Sequence, residues 1–280
     1  MNCLRLIESL DQIGYTGMCI GAENSQLLQN SLIILQQENH FDKCYYWGRI
    51  NGVKNDYYIA FGHGKDCLKS QVYYYSIDCL NWLLMPKPNT WGKCLAPFAT
   101  SQFQGISSFV TNIYNLNPPF PLDENLKKYY EGSSPKELKE EDRLAVIVDK
   151  INEDAMIIPR GSWLKNSNGD IIENNNFHGL SINESEQLSF YLHARLPQRN
   201  WKINLLTRND YNYSFDFLDT ADVDIPKGSW CLQKELGGRL VILTNAFWPG
   251  AVFYHKINSS DFGFMYIGSG QKNMDVPFMI

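Results

Sequence analysis

The sequence predicts a mainly β fold of the α+β type, with antiparallel sheets built from hairpins, an N-terminal helix and a second helix near 182–196. Three observations predict it. The phrase Ile158-Pro159-Arg160-Gly161-Ser162-Trp163 recurs as Ile225-Pro226-Lys227-Gly228-Ser229-Trp230, with only the basic residue changed. Each copy leads into a hairpin pattern: Trp163-Leu164-Lys165, Asn168-Gly169, Ile171-Ile172, and then Trp230 to Gln233, Gly237-Gly238, Leu240 to Leu243. Asn-Gly and Gly-Gly between apolar runs are strong hairpin signals. Third, the tyrosine doublets Tyr45-Tyr46, Tyr57-Tyr58 and Tyr73-Tyr74 sit in runs rich in β-formers.

The repeated phrase carries its own physics. Proline fixes φ near −65° and lacks an N–H, so it belongs at a turn, a strand start or a sheet edge. Glycine two positions later tolerates the positive φ such a corner needs. Tryptophan then anchors a strand with a large apolar ring. The unit is scaffold construction, used twice.

Taken in order, residues 24–40 form the first predicted helix, with Leu27, Leu28, Leu32, Ile34 and Leu35 on one broad face and Asn24 or Ser25 as cap. Cys44 to Ile50 and Tyr57 to Gly62 read as strands flanking a turn at Asn51-Gly52 or Lys54-Asn55-Asp56. Further strands are predicted at Val72 to Ser76 and Phe109 to Tyr114. Successive strand residues point to opposite faces, so each doublet puts one ring on either side of its sheet. Either both faces are covered within the chain or one is kept for another protein. Tyr45, Tyr57 and Tyr73 are therefore candidate partner-interface residues.

Prolines 86, 88, 118, 119, 121 and 135 make 86–102 and 115–135 loops or linkers. Ser134-Pro135-Lys136-Glu137 reads as the start of a short helix, and Arg143 to Asp149 as a buried strand that turns at Asn152-Glu153-Asp154 and returns through Ala155 to Ile158. Ser181-Ile182-Asn183-Glu184 is a capping box opening the second helix, which Pro197 stops. Ala251 to His255 and Phe262 to Gly268 make a closing strand pair. The apolar ending Val276-Pro277-Phe278-Met279-Ile280 should be tucked into the core or into a partner, so Phe278, Met279 and Ile280 join the interface candidates. The whole reads as one domain over 1–280, with a helical segment 1–40 and a loop excursion at about 115–135.

Composition narrows the function. With 44% hydrophobic and 20% charged residues, 280 residues can bury a sizeable core. A net charge of −5 and the lack of a long basic stretch argue against nucleic acid. No apolar run reaches the roughly 18 residues a membrane span needs. Glu8 interrupts any leader-like apolar region, and seven scattered cysteines without a Cys-x-x-Cys pair suit free thiols in the cytosol.

Chemistry-bearing motifs are sparse. His40, His63, His178, His193 and His255 are isolated, and His63 with Cys67 reads as polar loop decoration rather than a metal pair. His193 reads as helix surface and His255 as a sheet-edge residue. Gly268-Ser269-Gly270-Gln271-Lys272 lacks the following helix a phosphate loop requires. Asp216, Asp219, Asp222 and Asp224 lack calcium-loop spacing and read as a solvated acidic loop. No catalytic, cofactor-binding or metal-ligating residue is assigned.

Several phrases occur together in order from about residue 44 to the end: Trp47-Gly48-Arg49-Ile50 with Asp56-Tyr57-Tyr58-Ile59-Ala60, Ile157 to Gly161, and Asp224 to Trp230. Trp248-Pro249-Gly250 with Phe253-Tyr254-His255, and Lys272-Asn273-Met274-Asp275 with Pro277-Phe278-Met279, complete the series. This set resembles the radial spoke head protein 9 family, and its first two phrases are also similar to radial spoke head 4/6 proteins. The resemblance implies a non-enzymatic structural subunit of the axonemal radial spoke head in cilia and flagella. Such a subunit helps assemble the head and relays mechanical signals between central pair and dyneins. The implied partners are other head subunits, especially 4/6-type proteins, with the whole head facing central pair projections. Neither cofactor, nucleic acid nor membrane is implied. The residues alone leave open a cytosolic β-sandwich module binding a small ligand or sugar through aromatic rings, or an enzyme whose site no motif reveals.

Overall fold

The computed structural model describes residues 1–114, 136–198, 209–235 and 237–279. The proline-rich excursion at 115–135 and Ile280 lie outside the described residues.

The chain opens with helices α1 (Leu6–Ile13) and α2 (Ala22–Glu38). Leu28, Leu32 and Leu35 face inward from α2, as their spacing predicts. Leu27 and Ile34, placed on the same broad face, are exposed, because the buried stripe is narrower and takes in Ser25 and Ser31 instead. Its N-cap is Gly21 rather than Asn24 or Ser25; the Ser25 hydroxyl donates back to the carbonyls of Gly21 and Ile20 at 3.1 and 3.3 Å. Strands β1 (Lys43–Ile50), β2 (Tyr57–His63), β3 (Val72–Ser76) and β4 (Leu83–Leu84) then form an antiparallel meander. After helix α3 (Thr90–Leu95), β5 (Val110–Ile113) pairs with β6 (Lys136–Lys139), and helix α4 (Glu140–Ala155) follows directly.

Next come β7 (Ile157–Pro159), the hairpin β8 (Trp163–Lys165) with β9 (Ile171–Glu173), the single turn α5 (Ile182–Ser185) and β10 (Tyr191–His193). A second antiparallel meander, β11 (Trp230–Lys234), β12 (Leu240–Asn245), β13 (Ala251–Lys256) and β14 (Phe262–Gly268), precedes the terminal turn α6 (Val276–Met279).

The two meanders join into one eight-stranded sheet, ordered β11-β12-β13-β14-β1-β2-β3-β4, through a parallel pairing of β1 with β14. Gly48 lies opposite Tyr266 at that seam, beside a register shift between Tyr46 and Gly48. Its φ is +145°, and a Cβ there would fall 2.0 Å from the Tyr266 carbonyl oxygen. Only glycine fits so close a backbone approach.

Helices cover both faces of the sheet. Leu6, Leu10 and Ile13 of α1 and Leu28, Leu32 and Leu35 of α2 pack with Tyr46, Tyr58, Ile242, Tyr254 and Met265. On the other face Leu144, Ile147, Val148 and Ile151 of α4 pack with Trp47, Tyr57, Ile59 and Tyr266. Each tyrosine doublet divides as the strand period requires: Tyr45, Tyr57 and Tyr73 belong to the α4 side, and Tyr46, Tyr58 and Tyr74 to the α1–α2 side. Of the two alternatives for these rings, the structure shows coverage from within the chain.

Four elements differ from expectation. Helix α3 lies within 86–102, the stretch read as loop or linker; it falls after Pro88, and the Asn89 side chain caps it by accepting from the Gly92 N–H. Residues 143–149 lie in helix α4 rather than a strand, and 152–154 are its last turn. The run Leu144-Ala145-Val146-Ile147-Val148 is rich in β-formers, but it is buried on nearly every side, where packing outweighs propensity. Lys136 to Lys139 form a strand paired with β5 instead of a short helix, and Glu140 begins α4 immediately afterwards. The helix expected near 182–196 stops at Ser185. Tyr191, Leu192 and His193 instead pair with Pro159, Ile158 and Ile157, burying both faces of the strand.

The repeated phrase builds the same corner twice. Ser162 N–H donates to the Pro159 carbonyl at 3.1 Å and Ser229 N–H to that of Pro226 at 3.4 Å. The central glycines, Gly161 and Gly228, have φ of +85° and +90°. Trp163 and Trp230 then start β8 and β11 as buried anchors, and both predicted hairpins form. The copies diverge at their first residue, since Ile158 is buried and Ile225 exposed, and the Ile225–Pro226 bond is cis.

Candidate assembly surfaces

The five interface candidates among the described residues divide by burial. Tyr57 is 0% exposed, so its ring serves the core rather than a partner. Its hydroxyl donates to Glu140 Oε1 at 2.7 Å, and the Glu140 carboxylate also accepts from the N–H groups of Gln104, Gly105 and Ile106 at 2.7, 2.8 and 3.1 Å. That buried carboxylate ties the 103–106 loop and the start of α4 to β2. Burial, then the Glu140 hydrogen bond and charge, pushes the Tyr57 phenol far above its usual range.

Tyr45 and Tyr73 are half-buried and flank Phe61 in a stacked ladder, with ring centroids 5.2 and 5.3 Å apart. Tyr45 donates to Glu173 at 2.6 Å, and Tyr73 donates to Gln71 at 2.9 Å while accepting from Asn152 at 2.9 Å. These rings stiffen the sheet through cross-strand packing and offer only partial surface outward.

The tail is different. Val276 is buried, but Phe278 is 89% and Met279 70% exposed, with Met274 exposed beside them. Within the chain these side chains are therefore not tucked in. Ile280 lies outside the described residues. The far edge of the sheet adds a surface that sequence reading missed: Leu80, Leu83 and Leu84 at and before the short strand β4 are each at least half exposed. The signal was available, since Leu83-Leu84 precedes Met85-Pro86 and proline confines a strand to an edge.

Of the aspartates read as a solvated loop, Asp222 is exposed, but Asp216, Asp219 and Asp224 are drawn inward by specific partners. Asp216 is fully buried and accepts two hydrogen bonds from Arg160, at 2.5 and 2.7 Å. Asp219 pairs with Arg195 at 2.5 Å. Asp224 accepts from the indole N–H of Trp230 at 2.7 Å and faces His193 Nε2 at 3.0 Å. Burial alone would raise the Asp224 carboxyl, but the contacts with His193 and Trp230 hold it below the usual range. The basic position of the repeat thus differs in role: Arg160 grips Asp216, whereas Lys227 meets the backbone of Asp222.

The histidines are also more internal than expected. His193 lies in β10 rather than on a helix surface, and His255 lies in β13, between β12 and β14, rather than at a sheet edge. Both are buried because each strand is covered on its two faces. His63 and Cys67 are buried too, and the fold brings Glu173 beside them. The loop after β14 closes on its own strand, Gly270 N–H donating to the Tyr266 hydroxyl at 2.9 Å.

The chain is similar in sequence to known proteins over its whole length. Residues 2–70 match the family model described as "Radial spokehead-like protein". The chain is 36% identical to "Radial spoke head protein 9 homolog" of Homo sapiens, with 100% of both chains covered. Homologues of the same name from Bos taurus and Danio rerio are 34% and 35% identical, covering 100% and 97% of both chains.

Proposed function

We propose that this chain, which belongs to the radial spoke head protein 9 family, is a non-enzymatic structural subunit of the radial spoke head in the axoneme of cilia or flagella. The observation that carries the reading is end-to-end similarity to proteins of that name, which includes both the N-terminal helices and the apolar tail. The architecture supports it. A sheet clad on both faces, braced by aromatic ladders and a buried carboxylate, is a stiff body suited to passing mechanical load between central pair and dyneins. Its exposed apolar groups, Phe278 and Met279 at the tail and Leu80, Leu83 and Leu84 at the β4 edge, are surfaces for permanent contacts with fellow subunits, 4/6-type proteins foremost. The whole of 1–280 acts as one radial-spoke-head-type domain.

Affinity purification of the tagged chain from isolated cilia tests this reading. Spoke head subunits, including a 4/6-type protein, are expected in stoichiometric amounts. Recovery of the chain alone, together with a saturable small ligand, would instead favour a soluble ligand-binding module.

A further inference from the structure

We propose that His63, Cys67 and Glu173 form a binding site for a divalent transition metal, with zinc the best fit. One ligand atom from each residue lies within 4.8 Å of the others. Tetrahedral coordination at about 2.0–2.3 Å places ligands roughly 3.5 Å apart, so closure needs shifts of only about an ångström. Imidazole nitrogen, thiolate sulfur and carboxylate oxygen are the donor types zinc takes, and three protein ligands leave one position for water.

The site is built before any metal arrives. His63 ends β2, and its Nδ1 lies 2.8 Å from the Gly64 carbonyl, which makes Nδ1 the protonated nitrogen and leaves the Nε2 lone pair free. An outer hydrogen bond of this kind is how metal-binding histidines are usually oriented. Nε2 points at Glu173 Oε1 from 3.7 Å, too far for a hydrogen bond and suited to two acceptors sharing a cation. The Tyr45 ring stacks on the imidazole with centroids 5.6 Å apart, fixing its plane.

Cys67 is fixed from the other side. Its N–H donates to the Ile171 carbonyl at 2.8 Å, and Ile171 N–H donates to Asp66 Oδ2 at 3.3 Å, so the loop is laced to β9 two residues before Glu173. Glu173 accepts from Tyr45 at 2.6 Å through Oε1 and from Lys43 through Oε2. A carboxylate has about four lone-pair sites, which leaves Oε1 one more for a metal while Tyr45 and Lys43 remain as outer partners. The Cys67 S–H proton leaves to solvent as the sulfur–metal bond forms; thiolate and carboxylate then offset the dication, and with Lys43 still paired to Glu173 the cluster carries one net positive charge. A groove lined by Lys43, Tyr45 and Glu173 opens on the Glu173 side of the cluster.

Titration of the full-length chain with Zn2+ and with Co2+ tests the site. One equivalent of zinc should bind, and cobalt should give tetrahedral visible bands with a thiolate-to-cobalt charge-transfer band. Cys67→Ser should remove the charge-transfer band, and His63→Gln and Glu173→Gln should each weaken zinc binding at least about 100-fold, beyond what loss of an outer partner costs. Circular dichroism identifies the variants that fold, and any one folded variant decides. Cobalt bands unchanged in a folded variant would assign them to other cysteines, such as exposed Cys19 or Cys231, and overturn the proposal. So would the absence of stoichiometric zinc binding by the parent chain.

Discussion

Tyr57 and Glu140 face each other across the interior at 2.7 Å, the one from β2 and the other from the first residue of α4. Because the same carboxylate also holds three backbone N–H groups, removing it leaves several buried donors without an acceptor. Glu140→Ala should cost about 3–5 kcal/mol, whereas Tyr57→Phe, which spares the backbone donors, should cost about 1–2 kcal/mol. Urea denaturation of the two variants checks the ranking. Equal costs would mean that the tyrosine, not the loop, is what Glu140 serves.

Gly48 sets the seam between the meanders. Gly48→Ala forces either a backbone clash with Tyr266 or separation of β1 from β14. Soluble yield and melting temperature should both fall sharply, more than for Gly169→Ala at an open turn where a Cβ meets nothing within 4 Å. Both variants carry backbone strain, at φ of +145° and +84°, and only Gly48→Ala adds a clash with a neighbouring backbone.

Acid should loosen the fold through His255. Burial lowers its pKa from 6.5 to about 4, against the opposing pull of the Ser259 backbone and Asp261. The unfolded chain therefore takes up the proton first, below about pH 6.5, while the folded chain resists until about pH 4. Stability is present in full above pH 6.5, declines as pH falls through that window and is lost below it, amounting to about 3 kcal/mol. His255→Gln keeps an acceptor for the Leu180 N–H, 3.4 Å away, and should flatten the dependence between pH 6.5 and 4. An unchanged slope would place the titration elsewhere.

Replacing Phe278 and Met279 with serine together probes the tail. Both side chains are exposed in the chain, so its own stability should change by less than about 0.5 kcal/mol. Retention of the variant in axonemes should drop nonetheless. Unimpaired retention would free the tail of any role in assembly.

Much of this was legible before any coordinates. The repeated Pro-x-Gly-Ser-Trp corner specifies a turn by its backbone demands alone, so both hairpins and their glycine turns could be read from residues 158–172 and 225–243. The tyrosine doublets predicted one ring on each face of the sheet, by the same local logic. They left open whether the chain or a partner covers the outer face, which the packing of α1, α2 and α4 decides. Legibility failed where tertiary burial decides. In α4 the Val-Ile-Val run speaks for a strand, and the better signal was the acidic first turn Glu140-Glu141-Asp142, which favours a helix N-terminus. At β10 the capping box was real, yet pairing with β7 ended the helix after one turn. The grouping of His63, Cys67 and Glu173 depends on β9 folding back onto the 63–70 loop, which no local pattern encodes.

The most direct measurement is sedimentation of the chain as released from axonemes by salt, under conditions that leave spokes intact. A building block of the spoke head should migrate entirely in a large particle together with 4/6-type subunits, and should shift to a small species only when that particle is dissociated. Migration as a free 32.3 kDa chain while the spoke head remains whole would contradict it.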